Sequence, residues 1–99
     1  MEPELAYIIA GEAGACSFTA MIAVAYIYQR NNRFFGYSQP GYWESLIARN
    51  WYKFTDTSGG AEFLFSADDL QDHRVKRIIR GREPTKQWDC RMGLKLYAY

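Results

Sequence analysis

The stretch Ile8-Ile9-Ala10-Gly11-Glu12-Ala13-Gly14-Ala15-Cys16, with the apolar run 18–28 behind it, decides how the chain is read. It sets one carboxylate among glycines and alanines, directly before the most hydrophobic segment of the sequence. Leu5, Ile8 and Ile9 fall on one helical face and Glu12 continues that face one turn later, so the start of the chain reads as a helix. Pro3 suits its first turn, with Glu2 and Glu4 near the positive end, and Gly11 and Gly14 bracket its close. A carboxyl at a helix C-terminus in apolar surroundings keeps its proton more readily, since desolvation and the helix dipole both penalise the charge. A general acid working near neutral pH needs that condition. The bland alternative is a solvated helix end.

Outward from this centre, Ser17 is a reasonable N-cap for a helix from 18 to 29 that is apolar on nearly all sides, as a helix packed all round should be. The run is about half of a membrane span, so no membrane span is expected, and no basic segment precedes it as a secretion signal would require. Residues 34–41, with Phe35, Gly36, Tyr37 and Pro40-Gly41, read as an aromatic loop. Residues 42–50 read as a short helix with Trp43, Leu46 and Ile47 inward. Asp56-Thr57-Ser58-Gly59-Gly60 is a turn, 61–66 a strand, 67–70 and 74–80 helical or irregular, and 81–89 an exposed loop. A closing strand at 92–99 is expected to pair with 61–66.

Ninety-nine residues support one domain, 1–99, with one core. Aromatic residues make up 17% of the chain, more than such a core consumes, so some rings are available to line a cleft. Charge is unevenly spread. Residues 1–73 hold four basic and nine acidic side chains. Residues 74–99 hold eight basic ones (Arg74, Lys76, Arg77, Arg80, Arg82, Lys86, Arg91, Lys95) against Glu83 and Asp89. A polyanionic partner or a solvated face would each account for that third. Cys16 and Cys90 allow one intramolecular pair or two buried thiols, and neither has ligands at zinc spacing, so no metal or other cofactor is expected. His73 lies in a charged run and makes a poor triad member. Gly59-Gly60 lacks the phosphate-loop pattern, and no nucleic-acid module signature is present. What is left for chemistry is the acid at Glu12.

Three blocks carry a resemblance. Gly11-Glu12-Ala13, followed at fixed spacing by Ile22-Ala23-Val24-Ala25, resembles the spore cortex-lytic enzyme family of cell-wall hydrolases (SleB type). Asp56-Thr57-Ser58-Gly59-Gly60-Ala61 with Phe63, Phe65 and Ser66 resembles that family's Gly-Gly turn and aromatic strand. Met92-Gly93-Leu94-Lys95-Leu96-Tyr97 resembles its closing strand. The chain departs from the family at Gly14-Ala15-Cys16, where Arg-Gly-Glu is usual, and at Lys95, where histidine is usual.

The resemblance implies an α+β, mainly helical, lysozyme-like domain with a small antiparallel β-hairpin. It implies cleavage of the MurNAc–GlcNAc bond of peptidoglycan glycan strands as a lytic transglycosylase, with Glu12 as general acid and then base and the muramoyl 6-hydroxyl as nucleophile. A hydrolytic muramidase would need a second carboxylate to activate water, with Asp56 or Glu62 the candidates. Tyr37, Trp43, Asp56, Glu62, Phe63, Phe65 and Ser66 are the expected substrate-binding residues. The basic third would hold anionic wall polymers, and nucleic acid is not the expected partner. The site of action would be the bacterial cell wall, as suits a phage lysis or virion protein or one domain of a longer enzyme. The alternative is a non-catalytic wall-binding or nucleic-acid-binding relative on the same scaffold.

Overall fold

The computed structural model describes residues 3–34 and 36–99; the readings made for Glu2 and Phe35 lie outside the described residues. Helix α1 runs Pro3–Ala13, α2 Phe18–Arg30, α3 Tyr42–Asn50 and α4 His73–Ile79, with strands β1 at Leu64–Ser66, β2 at Lys86–Asp89 and β3 at Lys95–Ala98. The α+β architecture is therefore the observed one.

The apolar patterning of the first two helices becomes the core. Leu5, Ile8, Ile9 and Ala13 of α1 are buried, as are Ala20 to Ala25, Ile27 and Tyr28 of α2. Ser17 caps α2 by accepting from Ala20 N at 3.4 Å. Ile47 and Ala48 of α3 complete the helical side, and Leu64, Leu96 and Ala98 of the sheet close the other. No helix among the described residues is long and apolar enough to cross a membrane. Trp43 departs from the expected inward position: it is half exposed and its ring lies 5.0 Å from that of Phe18. Trp43 shares the face of Ile47 but stands one turn earlier, in the first turn of α3, where it meets Phe18 rather than the core.

The sheet is larger than the expected hairpin. Its order is β1-β3-β2, all antiparallel. The expected pairing of the closing strand is present, with Phe65 opposite Tyr97. Residues 81–89, expected as an exposed loop, instead contain the strand Lys86–Asp89, with Trp88 opposite Leu96. Lys86, Gln87 and Asp89 are exposed and only Trp88 turns toward the core, so the stretch has the composition of a loop. Its strand character comes from backbone pairing at a sheet edge, where polar side chains are the norm.

Two ties fasten the sheet to the helices. Cys16 and Cys90 form a disulfide between the end of the α1–α2 turn and the β2–β3 hairpin, and Arg91 N donates to Ala15 O at 3.0 Å beside it. The second tie is polar. Arg30 of α2 donates to Ser58 Oγ at 2.9 Å and Ala61 O at 2.7 Å, and pairs with Asp56. Ser58, fully buried, donates its N–H and hydroxyl to the other Asp56 oxygen. Burial works against the charge on Asp56, but the Ser58 and Arg30 donors outweigh it and hold the carboxyl below its ordinary value.

Candidate functional site

A cleft of about 320 Å³ opens between the helices and the sheet. Glu12, Ile27 and Asn31 line its helical side, Arg33 and Phe34 one rim, and Glu62, Phe63, Leu64 and Phe65 the wall opposite. Asp69, Asp72, Arg74, Val75 and Ile78 continue that wall toward α4.

Glu12 owes its place to a close approach of two backbones. It sits in the last turn of α1, half-buried, and its Oε1 accepts from Gly36 N at 3.0 Å. The segment carrying Gly36 can come this near only because Gly11 lacks a side chain. A Cβ on Gly11 would stand 2.5 Å from Gly36 C and from Tyr37 N. A Cβ on Gly36 would stand 2.7 Å from Glu12 Oε1. Two glycines, distant in sequence, thus bring a backbone donor onto one carboxylate oxygen. The same segment is held further along by Ser38 N donating to Tyr7 O at 3.2 Å.

The facing wall is aromatic. Phe63 and Phe65 project from the same side of the strand, as the period of two requires, and stack with centroids 5.9 Å apart and planes 10° apart. Asn31, just past α2, donates to Glu62 O at 3.1 Å and so fixes the helical side of the cleft to the strand.

Past β1 the chain turns on a reciprocal cap. Asp69 Oδ2 accepts from Ser66 N at 3.0 Å, and Ser66 Oγ accepts from Asp69 N at 3.3 Å. That turn delivers Asp69 to the cleft. Asp72 caps α4, and the Arg74 guanidinium and backbone N–H hold its carboxyl down at about 2. The lining carries four carboxylates (Glu12, Glu62, Asp69, Asp72) against Arg33 and Arg74, so the cleft is net acidic.

Of the residues expected at the site, Glu12, Glu62, Phe63 and Phe65 come together in the cleft. The other four lie outside its lining. Tyr37 donates its hydroxyl to Glu4 Oε2 at 2.9 Å and stacks on Tyr7. Trp43 belongs to the Phe18 cluster at the start of α2. Asp56 is consumed by Arg30 and Ser58, and Ser66 serves the turn that positions Asp69. Sequence reasoning missed Asn31, Phe34, Asp69 and Asp72. Phe34 was legible as part of an aromatic loop, while the aspartates looked like members of a solvated charge run.

Chemically, the arrangement offers one carboxyl group with a fixed donor on one oxygen, a flat aromatic wall across an open groove, and further carboxylates along it. Comparison with family models, with curated proteins and with solved structures finds no match to this chain.

Proposed function

We propose that this protein is a glycosidase of the bacterial cell wall, with a lysozyme-like arrangement in which Glu12 serves as general acid and then base on the MurNAc–GlcNAc bond. The observation that carries the reading is the Glu12 carboxyl, fixed by the Gly36 N–H beside a groove with an aromatic wall. Lytic transglycosylation asks for one acid that can return as a base, held beside a groove long enough to take a glycan strand. Glu12 protonates the leaving oxygen as oxocarbenium character develops on the muramoyl ring. The resulting carboxylate then takes the proton of the 6-hydroxyl, which closes on the ring carbon and forms the anhydro end. One proton leaves Glu12 and one returns to it. A muramidase pathway would instead recruit Glu62 or Asp69, since both line the groove whereas Asp56 is tied to Arg30. The Cys16–Cys90 disulfide supports a working place outside the reducing cytoplasm.

Purified protein and Glu12→Gln, which keeps shape but carries no acid proton, are compared on peptidoglycan sacculi. Clearing by the native protein alone is the expected result, with released glycan ends that are anhydro and one water lighter than reducing ends. Equal behaviour of the two proteins overturns the proposal.

A further inference from the structure

The basic third of the sequence resolves into residues with occupations and residues without. Arg74 is paired with Asp72, and Arg82 donates to Ile78 O and Ile79 O, closing the C-terminal end of α4. Lys76, Arg77 and Arg80 have no such employment. All three are exposed, and among the described residues none makes an ion pair with a carboxylate. At 3.6 residues per turn Lys76 and Arg77 fall within an arc of roughly 100° on one side of α4, together with exposed His73, and Arg80 follows at the cap that ends the helix. Val75, Ile78 and Ile79 occupy the opposite side, and Val75 and Ile78 line the cleft. The helix therefore divides two fields: an acidic groove on one side and an unneutralised cationic ridge on the other.

Arg80 adds a second observation. It terminates α4 in the left-handed region, φ 55° and ψ 41°, donating its N–H to Lys76 O. Glycine is the residue that fits this position without strain, and Gly81 stands immediately next to it. A long cationic side chain occupies the strained position instead, where it extends the charge of Lys76 by one further turn.

We propose that the Lys76–Arg77–Arg80 ridge is a docking surface for a phosphodiester wall polymer of the poly(polyol phosphate) type; the choice of a wall polymer rests on the glycosidase reading of the adjoining groove. Charge complementarity selects a polyanion. The ridge carries no Phe, Tyr or Trp, and His73 is the one ring beside it on which a base could stack, so what it offers a polyanion is mainly charge for the backbone. The acidic groove would repel the same polymer. The anionic chain is thereby kept on the ridge while the uncharged sugar backbone enters the cleft.

Binding of the full chain to soluble poly(glycerol phosphate), followed by fluorescence anisotropy, tests the proposal without any cleavage step. Three neutralised phosphates predict a weakening of about 20-fold between 50 and 200 mM salt. The variant Lys76→Gln/Arg77→Gln/Arg80→Gly should lose most of that binding and most of the salt dependence. Arg80→Gly alone should bind less tightly yet melt at a higher temperature, because it relieves backbone strain. Salt-independent binding, or a triple variant that binds like the native chain, overturns the proposal. So does an oligonucleotide of equal charge binding more than tenfold tighter. On sacculi stripped of anionic polymer the triple variant should clear as the native protein does. Failure of both to clear, with polymer binding intact, would sink the glycosidase reading and leave the cationic docking site standing.

Discussion

Replacing Gly11 by alanine sets two opposed effects against each other. Gly11 lies inside α1, where alanine is favoured by up to about 1 kcal/mol on helix propensity. The new methyl would meet backbone atoms of Gly36 and Tyr37 at 2.5 Å, and backbone cannot swing aside as a side chain can. Restoring an ordinary contact of about 3.4 Å needs a separation of roughly 0.9 Å, a displacement typical of overpacking that costs about 1–3 kcal/mol. The same movement would stretch the Gly36 N to Glu12 Oε1 bond from 3.0 Å to roughly 3.9 Å, beyond hydrogen-bonding distance. Sterics should win. Gly11→Ala is expected to lose about 1–2 kcal/mol net once propensity is subtracted. That corresponds to a fall in Tm of about 4–8 °C per kcal/mol for a domain of this size. Clearing of sacculi should fall by about 100-fold, the penalty for a misplacement near 1 Å.

Gly60→Ala serves as the control. Gly60 has φ +78° but its Cβ would meet nothing within 4 Å, so strain should lower stability and leave clearing untouched. Urea unfolding of both variants, paired with the clearing assay, reads the two quantities. Gly11→Ala unfolding at or above the native midpoint would refute the close-approach argument. A destabilised variant with full clearing would refute its link to Glu12.

Three further outcomes are expected. Reducing the Cys16–Cys90 bond, which spans 74 positions, should lower unfolding free energy by about 4 kcal/mol on the chain-entropy account, measured by urea titration with and without reductant. Arg30→Ala removes the donors to Ala61 O and to one oxygen of Asp56 and one of the two donors to Ser58 Oγ, and should cost about 1–3 kcal/mol in the same assay. Asp72 has a folded pKa below its ordinary 3.8, at about 2, so its stabilising contribution is complete above that ordinary value and disappears as pH falls through about 2. The stability difference between the native chain and Asp72→Asn, which keeps the cap, should therefore shrink between pH 4 and pH 2; a constant difference would contradict the Arg74 pairing.

The helical half was legible because its signals are local. Leu5, Ile8 and Ile9 repeat at helical spacing, Ser17 announces α2, and the alanine-rich run that follows is buried as its composition demands. The sheet was half legible. Phe63 and Phe65 alternate visibly, but Lys86–Asp89 becomes a strand only through its neighbour, and no local pattern encodes that. Glu12 stood out by the contrast with its surroundings. Its donor did not, because Gly36 reaches it through a contact whose only trace in the sequence is a pair of small residues. Tyr37 and Trp43 illustrate the opposite error. Aromaticity marked them for the groove, and packing sent them to Glu4 and Phe18.

The sheet order has a consequence for how the protein comes into being. β3 is the middle strand and the latest of the three in the chain, so neither β1 nor β2 has anything to pair with until it arrives. On the ribosome, helices α1 to α3 can assemble as they emerge, while one rim of the groove waits as unpaired ribbon. Whatever assists this chain at birth, a chaperone or simply speed, has to cover the interval between residue 64 leaving the exit tunnel and residue 98 following it.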